Sequence, residues 1–484
     1  MAATPELGQG LSQRQLTMIA IGGVIGAGFF VGSGVVIRTT GPAACLTYVL
    51  CGVLVVLVMR MLGEMATANP SSGSFADYAR NALGGWAGFS VGWLYWYYWV
   101  IVVGFEAVAG AKVVNYWFSA PLWLVSLILM LTMTATNLFS VSSYGEFEFW
   151  FAGVKVATIV IFLGLGTVFV LGLWPGRHRD LSNLSSHGGF FPYGFGSVFA
   201  GVVVVIFSMV GAEIATIAAA ETPDPERAIR RATNAVAARI VIFFVGSVFL
   251  LVVILPWNSV QIGASPFVEA FGHIGIRGAD DVMDAIVLTA VLSCLNSGLY
   301  TASRMLFVLA GRGDAPVRLT KLSRRGVPYI AILSSSVVGF LCVILAKISP
   351  GTVFLFLLNS SGAIVLFVYL LIALSQIVLR FKTPAEKLRV KMWFFPVLSI
   401  LTLAGIVAVL VQMAFHQTAR VQFWLSLLSW AVVVVLYLVS KWWRGRVAPP
   451  GDHETSASAP ASETTGDDQV FGIPMRADPE QATE

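Results

Sequence analysis

Charge is scarce in this sequence. Asp, Glu, Lys and Arg together make up 11% of 484 residues, against about 25% in an ordinary soluble domain. A chain so poor in charge and 57% apolar would expose far too much hydrocarbon surface in water. Cysteine is nearly absent: Cys45, Cys51, Cys294 and Cys342 all lie in apolar stretches, which leaves no disulfide framework and no paired-cysteine metal motif. The five histidines, His178, His187, His273, His416 and His453, fall in loops, at span ends or in the C-terminal tail. No intramembrane metal site or Ser–His pair can be assembled from them. The glycine-rich lysine loop that cradles a nucleotide's phosphates is missing too. No catalytic residue and no cofactor or metal is therefore expected, and ATP-driven pumping is disfavoured.

What the chain does have is long apolar runs. About twelve of roughly 20 residues each are expected to cross a bilayer. They start near Thr17, Ala43, Gly85, Leu122, Gly145, Phe195, Val236, Val282, Val327, Thr352, Trp393 and Phe423. They are apolar all round, without the two-residue alternation of a membrane barrel. The expected fold class is an all-α polytopic membrane protein. A polar N-terminus, residues 1–16, leads into a full-length span with no cleavable signal pattern. The tail 447–484, rich in Ser, Ala, Thr, Glu and Pro, reads as disordered.

Basic residues set the orientation. With the N-terminus inside, the inner loops hold most of the Lys and Arg, including Arg227, Arg230, Arg231, Arg318, Lys321, Arg324 and Arg325. The outer ones hold only Arg38, Lys112, Arg177, Arg179, Arg277, Lys347 and Arg420. This positive-inside bias places both termini in the cytoplasm of a plasma (inner) membrane protein. The net charge of +5 then reflects topology and gives no support to nucleic-acid binding.

The first span contains "IGGVIGAGFFVGSG" (Ile21–Gly34), with glycine at 22, 23, 26, 28, 32 and 34. Each glycine inside a helix costs about 1 kcal/mol relative to alanine. Close helix packing through Gly22/Gly26 and Gly28/Gly32 is one reading. The other is an unwound break lining a polar cavity, the setting in which irregular backbone survives at membrane depth. The sixth span supplies a second such stretch, "FSMVGAEIATIAAAETPDP" (Phe207–Pro225), with Gly211 and Glu213 at its centre. Interrupted helices at matching positions of two halves point to a transporter built of inverted repeats. At such a break one half-helix offers amides to an anion and another offers carbonyls to a cation. An amino acid carries both charges.

Four intramembrane groups stand out, since charge inside a span is costly and by default functional. Lys155 lies near mid-depth of the fifth span, too deep to snorkel. Burial disfavours the charged form of an amine, so Lys155 can load and release a proton. Glu213 either caps the inner half of the sixth span or handles substrate or proton. Glu106 either makes an internal hydrogen bond or meets the amine of a long ω-amino acid. Glu64 reads as an i,i+4 partner of Arg60. The polar run Ser293, Cys294, Asn296 and Ser297 reads mainly as helix packing, as does the aromatic run "WLYWYYW" (Trp93–Trp99).

The stretch "TGPAACLTYVLCGVLVVLVMRMLGEMATANP" (Thr40–Pro70) resembles the signature of bacterial amino acid permeases of the amino acid–polyamine–organocation superfamily. "YGEFEFW" (Tyr144–Trp150), "GAEIATIAAAE" (Gly211–Glu221), "LSCLNSGLYTASRML" (Leu292–Leu306) and "RGDAP" (Arg312–Pro316) are most similar to its 4-aminobutyrate (GABA) permeases. The resemblance spans roughly Leu11 to Trp443. It implies a five-plus-five inverted-repeat core like that of the leucine transporter, with repeats at 17–178 and 190–379 and two extra helices at 392–443. It also implies proton-driven uptake of a small amino acid by alternating access, with lipid as the only other surroundings and no obligatory protein partner. By motif position the substrate carboxylate would meet amides at Val24, Ile25, Gly26, Ala27 and Gly28. Its amine would face carbonyls near Ala20, Ile21 and the break at Ser208, Gly211 and Ala212. The resemblance also places Cys294 beside the permeation path, and has Lys155 brace the first span against the eighth. Uptake of an aromatic amino acid, or of D-alanine, D-serine or glycine, is the alternative. A membrane sensor for amino acids is more remote.

Overall fold

The computed structural model describes Met18 and residues 25–69, 74–139, 141–176, 178–211, 213, 225–260, 264–276, 278–415 and 419–447. Among these the regular structure is helical, with no strand. A first compact unit runs to Ser440; of the second, Lys441–Glu484, only the end of the last helix is described.

The first interrupted span contributes α1 (Ala27–Phe30) and α2 (Gly32–Thr40), and a bend at Gly41–Pro42 leads to α3 (Ala44–Ala68). The short α4 (Ser74–Leu83) follows, then α5 (Gly85–Val114), α6 (Leu122–Phe139) and α7 (Val141–Val170). The sixth span supplies α8 (Ser197–Ala200) and α9 (Val202–Met209). Next come α10 (Pro225–Arg239), a π-helical turn at Ile240–Val245, α11 (Gly246–Ile254) and α12 (Pro266–Ile274). The chain ends with α13 (Ala279–Gly311), α14 (Tyr329–Ile348), α15 (Pro350–Lys382), α16 (Val397–Phe415) and α17 (Arg420–Val447).

Among the described residues, ten stretches are long and apolar enough to cross a bilayer. The first, Ala27–Ala68, runs through two of the expected spans. The sixth enters the described residues only as α8 and α9, so the expected count of about twelve stands. Helix starts fall within a few residues of expectation for most spans. The seventh is the exception, since α10 begins at Pro225 and carries Arg227, Arg230 and Arg231 as a helical extension.

Burial grades the spans by place. The window within α5 is 78% buried, that of α16 33% and that of α17 6%. Helix α5 packs along α13, α14 and α15 and forms the centre. Leu341, Ile344, Leu345 and Ile348 on α14, and Val397, Ile400 and Leu401 on α16, stay exposed. An apolar surface of that extent fits hydrocarbon and not water.

The amphipathic α4 packs against α5 and α15. Its Asp77 and Arg80 follow the helix dipole, acid in the first turn and base in the last. They pair crosswise with the segment after α13, Arg80 with Asp314 and Asp77 with Arg312. Gly84, at φ +101, turns the chain from α4 into α5 in a conformation that side chains rarely adopt.

One expectation is overturned here. Arg60 and Glu64 make no direct hydrogen bond or ion pair with each other, although Arg60 lies within the field of the Glu64 carboxylate. Glu64 accepts hydrogen bonds from Arg380 Nη1 (2.6 Å), Gln376 Nε2 (2.8 Å) and the Met392 N–H (2.6 Å). Arg60 instead donates to the Lys391 carbonyl at 2.9 Å and lies over the Trp393 ring. A buried carboxylate needs several donors at once, and α15 with the segment after it supplies three where one neighbouring arginine supplies at most one direction. Glu64→Gln is expected to cost about 2–4 kcal/mol of stability, since breaking one half of a buried pair leaves the other charge behind. A melting curve of the detergent-solubilised carrier, at unchanged expression, measures it.

Candidate binding site between two helix breaks

Both glycine-rich stretches depart from helical geometry at a described glycine. Gly26 is extended (φ −129, ψ −156), and α1 starts only after it. The first N–H groups of α1 thus have no partner of their own in the helix. At the other break α9 ends at Met209, Val210 is extended (φ −64, ψ 150) and Gly211 takes φ +104. Only glycine adopts that value without strain. The backbone therefore leaves the helix where the sequence weakens it.

The two breaks lie against each other. A Cβ built on Gly28 would fall 2.8 Å from the Phe207 ring and 3.2 Å from Ser208 Cα. One built on Gly26 would meet Glu106 Oε1 at 2.5 Å and Cys294 Cβ at 2.6 Å. Four chain segments thus meet at one point: the start of α1, the end of α9, the middle of α5 and the middle of α13. The opposed poles are the N-terminus of α1 and the C-terminus of α9.

Glu106 is 1% exposed and both its oxygens accept the Ala27 N–H at 3.1 Å. It holds the positive pole of α1, where an external carboxylate is also expected to bind. Glu213 Oε1 accepts the Gly211 N–H at 3.0 Å and the Tyr95 hydroxyl at 3.1 Å, so its carboxylate turns back onto the second break. Ser208 donates to the Val205 carbonyl of its own helix at 2.7 Å. Ile25 is buried. Tyr98 donates to the Phe207 carbonyl at 3.4 Å, and Phe105 packs edge-on to Phe207 with centroids 5.0 Å apart. Ala20, Ile21, Val24 and Ala212 lie outside the described residues.

The aromatic run on α5 divides by face. Trp93 Nε1 donates to the Asp314 carbonyl and Trp96 Nε1 to Ser335 Oγ (3.0 Å), which fasten α5 to its neighbours. Tyr95 and Tyr98 face the second break. On α13, Asn296 accepts from Asn137 Nδ2 at 2.7 Å and serves helix packing, whereas Ser293 does something else.

Lys155 stands midway along α7 and is fully buried. Its Nζ donates to Ser293 Oγ at 2.7 Å, and that hydroxyl donates to Glu148 Oε1 at 2.6 Å. Lys155 Nζ and Glu148 Oε1 are 3.7 Å apart. Helices α7 and α13 are thus joined by a three-group polar bridge. Met18, the described residue before the first break, also comes near α7, its methyl 3.6 Å from a Cβ built on Gly153. Sequence reasoning missed Glu148, although it lies within the quoted "YGEFEFW". Its spacing of seven from Lys155, two helical turns, was the available signal. Arg239, buried where α10 passes into the π-helical turn, also escaped notice.

A multi-span helical protein in which a helix start and a helix end meet at a buried site has the outline of a membrane carrier. The sequence matches the family model described as Amino acid permease over residues 15–450, and the chain belongs to that family. It is an integral membrane protein that transports amino acids, and not an enzyme. It is 53% identical over 434 residues to a gamma-aminobutyric acid permease of Bacillus subtilis (strain 168), covering 89% of this chain and 92% of that one. Identity to a gamma-aminobutyric acid permease of Escherichia coli (strain K12) is 45% over 443 residues, 90% and 95% of the two chains. Identity to the aromatic amino acid transport protein AroP of Corynebacterium glutamicum is 41% over 449 residues, 91% and 97% of the two chains.

Proposed function

We propose that this permease imports 4-aminobutyrate, or a closely related ω-amino acid, together with protons by alternating access. The observation that carries the reading is the contact between the two breaks, Gly28 against Phe207 and Ser208. It sets the amide end of one helix and the carbonyl end of another side by side, the two poles that a small zwitterion needs. The higher identity to relatives named for gamma-aminobutyric acid, 53% and 45% against 41% for the aromatic transporter, supports the substrate.

In this reading the substrate carboxylate binds the amides of Ile25, Gly26 and Gly28, beside Glu106. Two carboxylates at one helix terminus repel, so Glu106 takes a proton or moves its oxygens to the substrate's ammonium. Either event ties binding to charge. Carbonyls at Phe207–Val210 receive the amine, and Glu213 holds the second break open through the Gly211 N–H. Lys155 accepts and releases the coupling proton. Repeats at 17–178 and 190–379, each opening on its broken helix, rock about this centre, with both termini in the cytoplasm on the strength of the positive-inside distribution.

The test is uptake of labelled 4-aminobutyrate into proteoliposomes under an imposed pH gradient. Competition by β-alanine, but not by phenylalanine, tryptophan or D-alanine, is expected. Uptake that requires sodium and ignores the pH gradient rejects the proton, and strong competition by phenylalanine rejects the substrate.

A further inference from the structure

We infer that Glu148, acting through the Ser293 hydroxyl, is the counter-charge and positioning residue of Lys155, and that the pair, not the lysine alone, sets the pH at which the carrier works. The inference rests on the coupling role proposed for Lys155. Three observations carry it. Lys155, Glu148 and Ser293 are each 0% exposed, so the charges meet no bulk water. The hydrogen bonds run in one direction, ammonium to hydroxyl to carboxylate, at 2.7 and 2.6 Å. And Glu148 sits on α7 itself, two turns before the lysine, while Ser293 sits on α13, so one hydroxyl links both charges to a second helix.

The surroundings leave Glu148 as the carboxylate within ion-pair distance of Lys155 among the described residues. Helix α5 presents Glu106 and helix α13 presents Cys294 toward the same ammonium from the substrate side. Ser297, one turn beyond Ser293, faces the Glu148 carboxylate. Helices α6 and α11 contain no charged residue. Helix α12 carries Glu269 and His273, and His273 packs against Phe169 at the far end of α7.

The step balances simply. The Lys155 Nζ–H bond breaks, its electron pair stays on nitrogen and the proton passes to water on the open side, while Glu148 remains ionised. The link to Ser293 then changes from a charge-assisted hydrogen bond to a neutral one, about half as strong, and the hold of α7 on α13 weakens with it. Glu148 makes the loaded state neutral as a pair and so keeps the proton on Lys155 until the site turns.

The experiment measures uptake of labelled 4-aminobutyrate by the full-length carrier in proteoliposomes across a series of external pH values, for the wild type, Glu148→Gln, Glu148→Asp and Ser293→Ala. With the carboxylate gone, the ammonium loses the counter-charge that stands 3.7 Å away. The pH of half-maximal uptake should shift at least one unit toward acid in Glu148→Gln, less in Ser293→Ala, and return toward the wild type in Glu148→Asp. Should Glu148→Gln fail to give a monodisperse protein, Ser293→Ala decides alone: a profile superimposed on the wild type overturns the inference. A Glu148→Gln profile with an unmoved midpoint overturns it as well, whatever happens to the rate, because a merely structural role changes only amplitude. A wild type indifferent to the pH gradient rejects the coupling reading beneath it, and is told apart by that control.

Discussion

Gly26→Ala is expected to reduce uptake by about two orders of magnitude, the scale on which a displacement of about 1 Å acts in a preorganised site. The methyl would meet Glu106 Oε1 at 2.5 Å and Cys294 Cβ at 2.6 Å. The second contact matters more. A carboxylate can turn, but Cβ of Cys294 is fixed to the backbone of α13, so α1 or α13 must move and the amides with it. Gly164→Ala is the control, because nothing lies within 4 Å of a Cβ there. It should transport normally and melt no lower than the wild type, since alanine is the better helix former. Equal loss in both variants, at matched membrane abundance, would mean that the fold merely dislikes side chains at glycine positions.

Lys155→Gln is expected to abolish accumulation. One proton per substrate and a gradient of about two pH units sustain up to about 100-fold accumulation, at 1.4 kcal/mol per tenfold. Without an ammonium at Lys155 the ratio of inside to outside substrate should settle near one. The variant also leaves Glu148 buried without its counter-charge, so it should melt below the wild type. The double variant Lys155→Gln/Glu148→Gln should recover part of that loss, because removing both halves of a buried pair costs less than removing one. A Lys155→Gln carrier that still accumulates substrate with the wild-type dependence on the pH gradient would remove the lysine from the coupling reaction.

The spans were legible because their information is local. Runs of some twenty apolar residues announce themselves, and α5 and α6 start at Gly85 and Leu122 as the sequence suggests. The breaks were legible for a related reason: glycine clusters weaken a helix whatever surrounds it, and Gly26 and Gly211 do leave helical geometry. Partnerships were not. Glu64 lies four residues from Arg60, yet its donors come from residues 376, 380 and 392, and no local pattern carries that distance. Lys155 was conspicuous as a charge at mid-depth, but its tie to Ser293 depends on α7 meeting α13. Glu106 was visible as a buried acid. That its oxygens rest on the Ala27 N–H required the fold.

The crosswise quartet of Asp77 and Arg80 on α4 with Arg312 and Asp314 beyond α13 sums to zero on each of its two sides. Drawing those elements apart therefore transfers no net electric charge along the membrane normal. Voltage does work on displaced charge, about 2.3 kcal/mol per elementary charge for each 100 mV, and finds none to act on here. Whatever electrical sensitivity transport shows must then originate elsewhere, and not in the parting of these two elements.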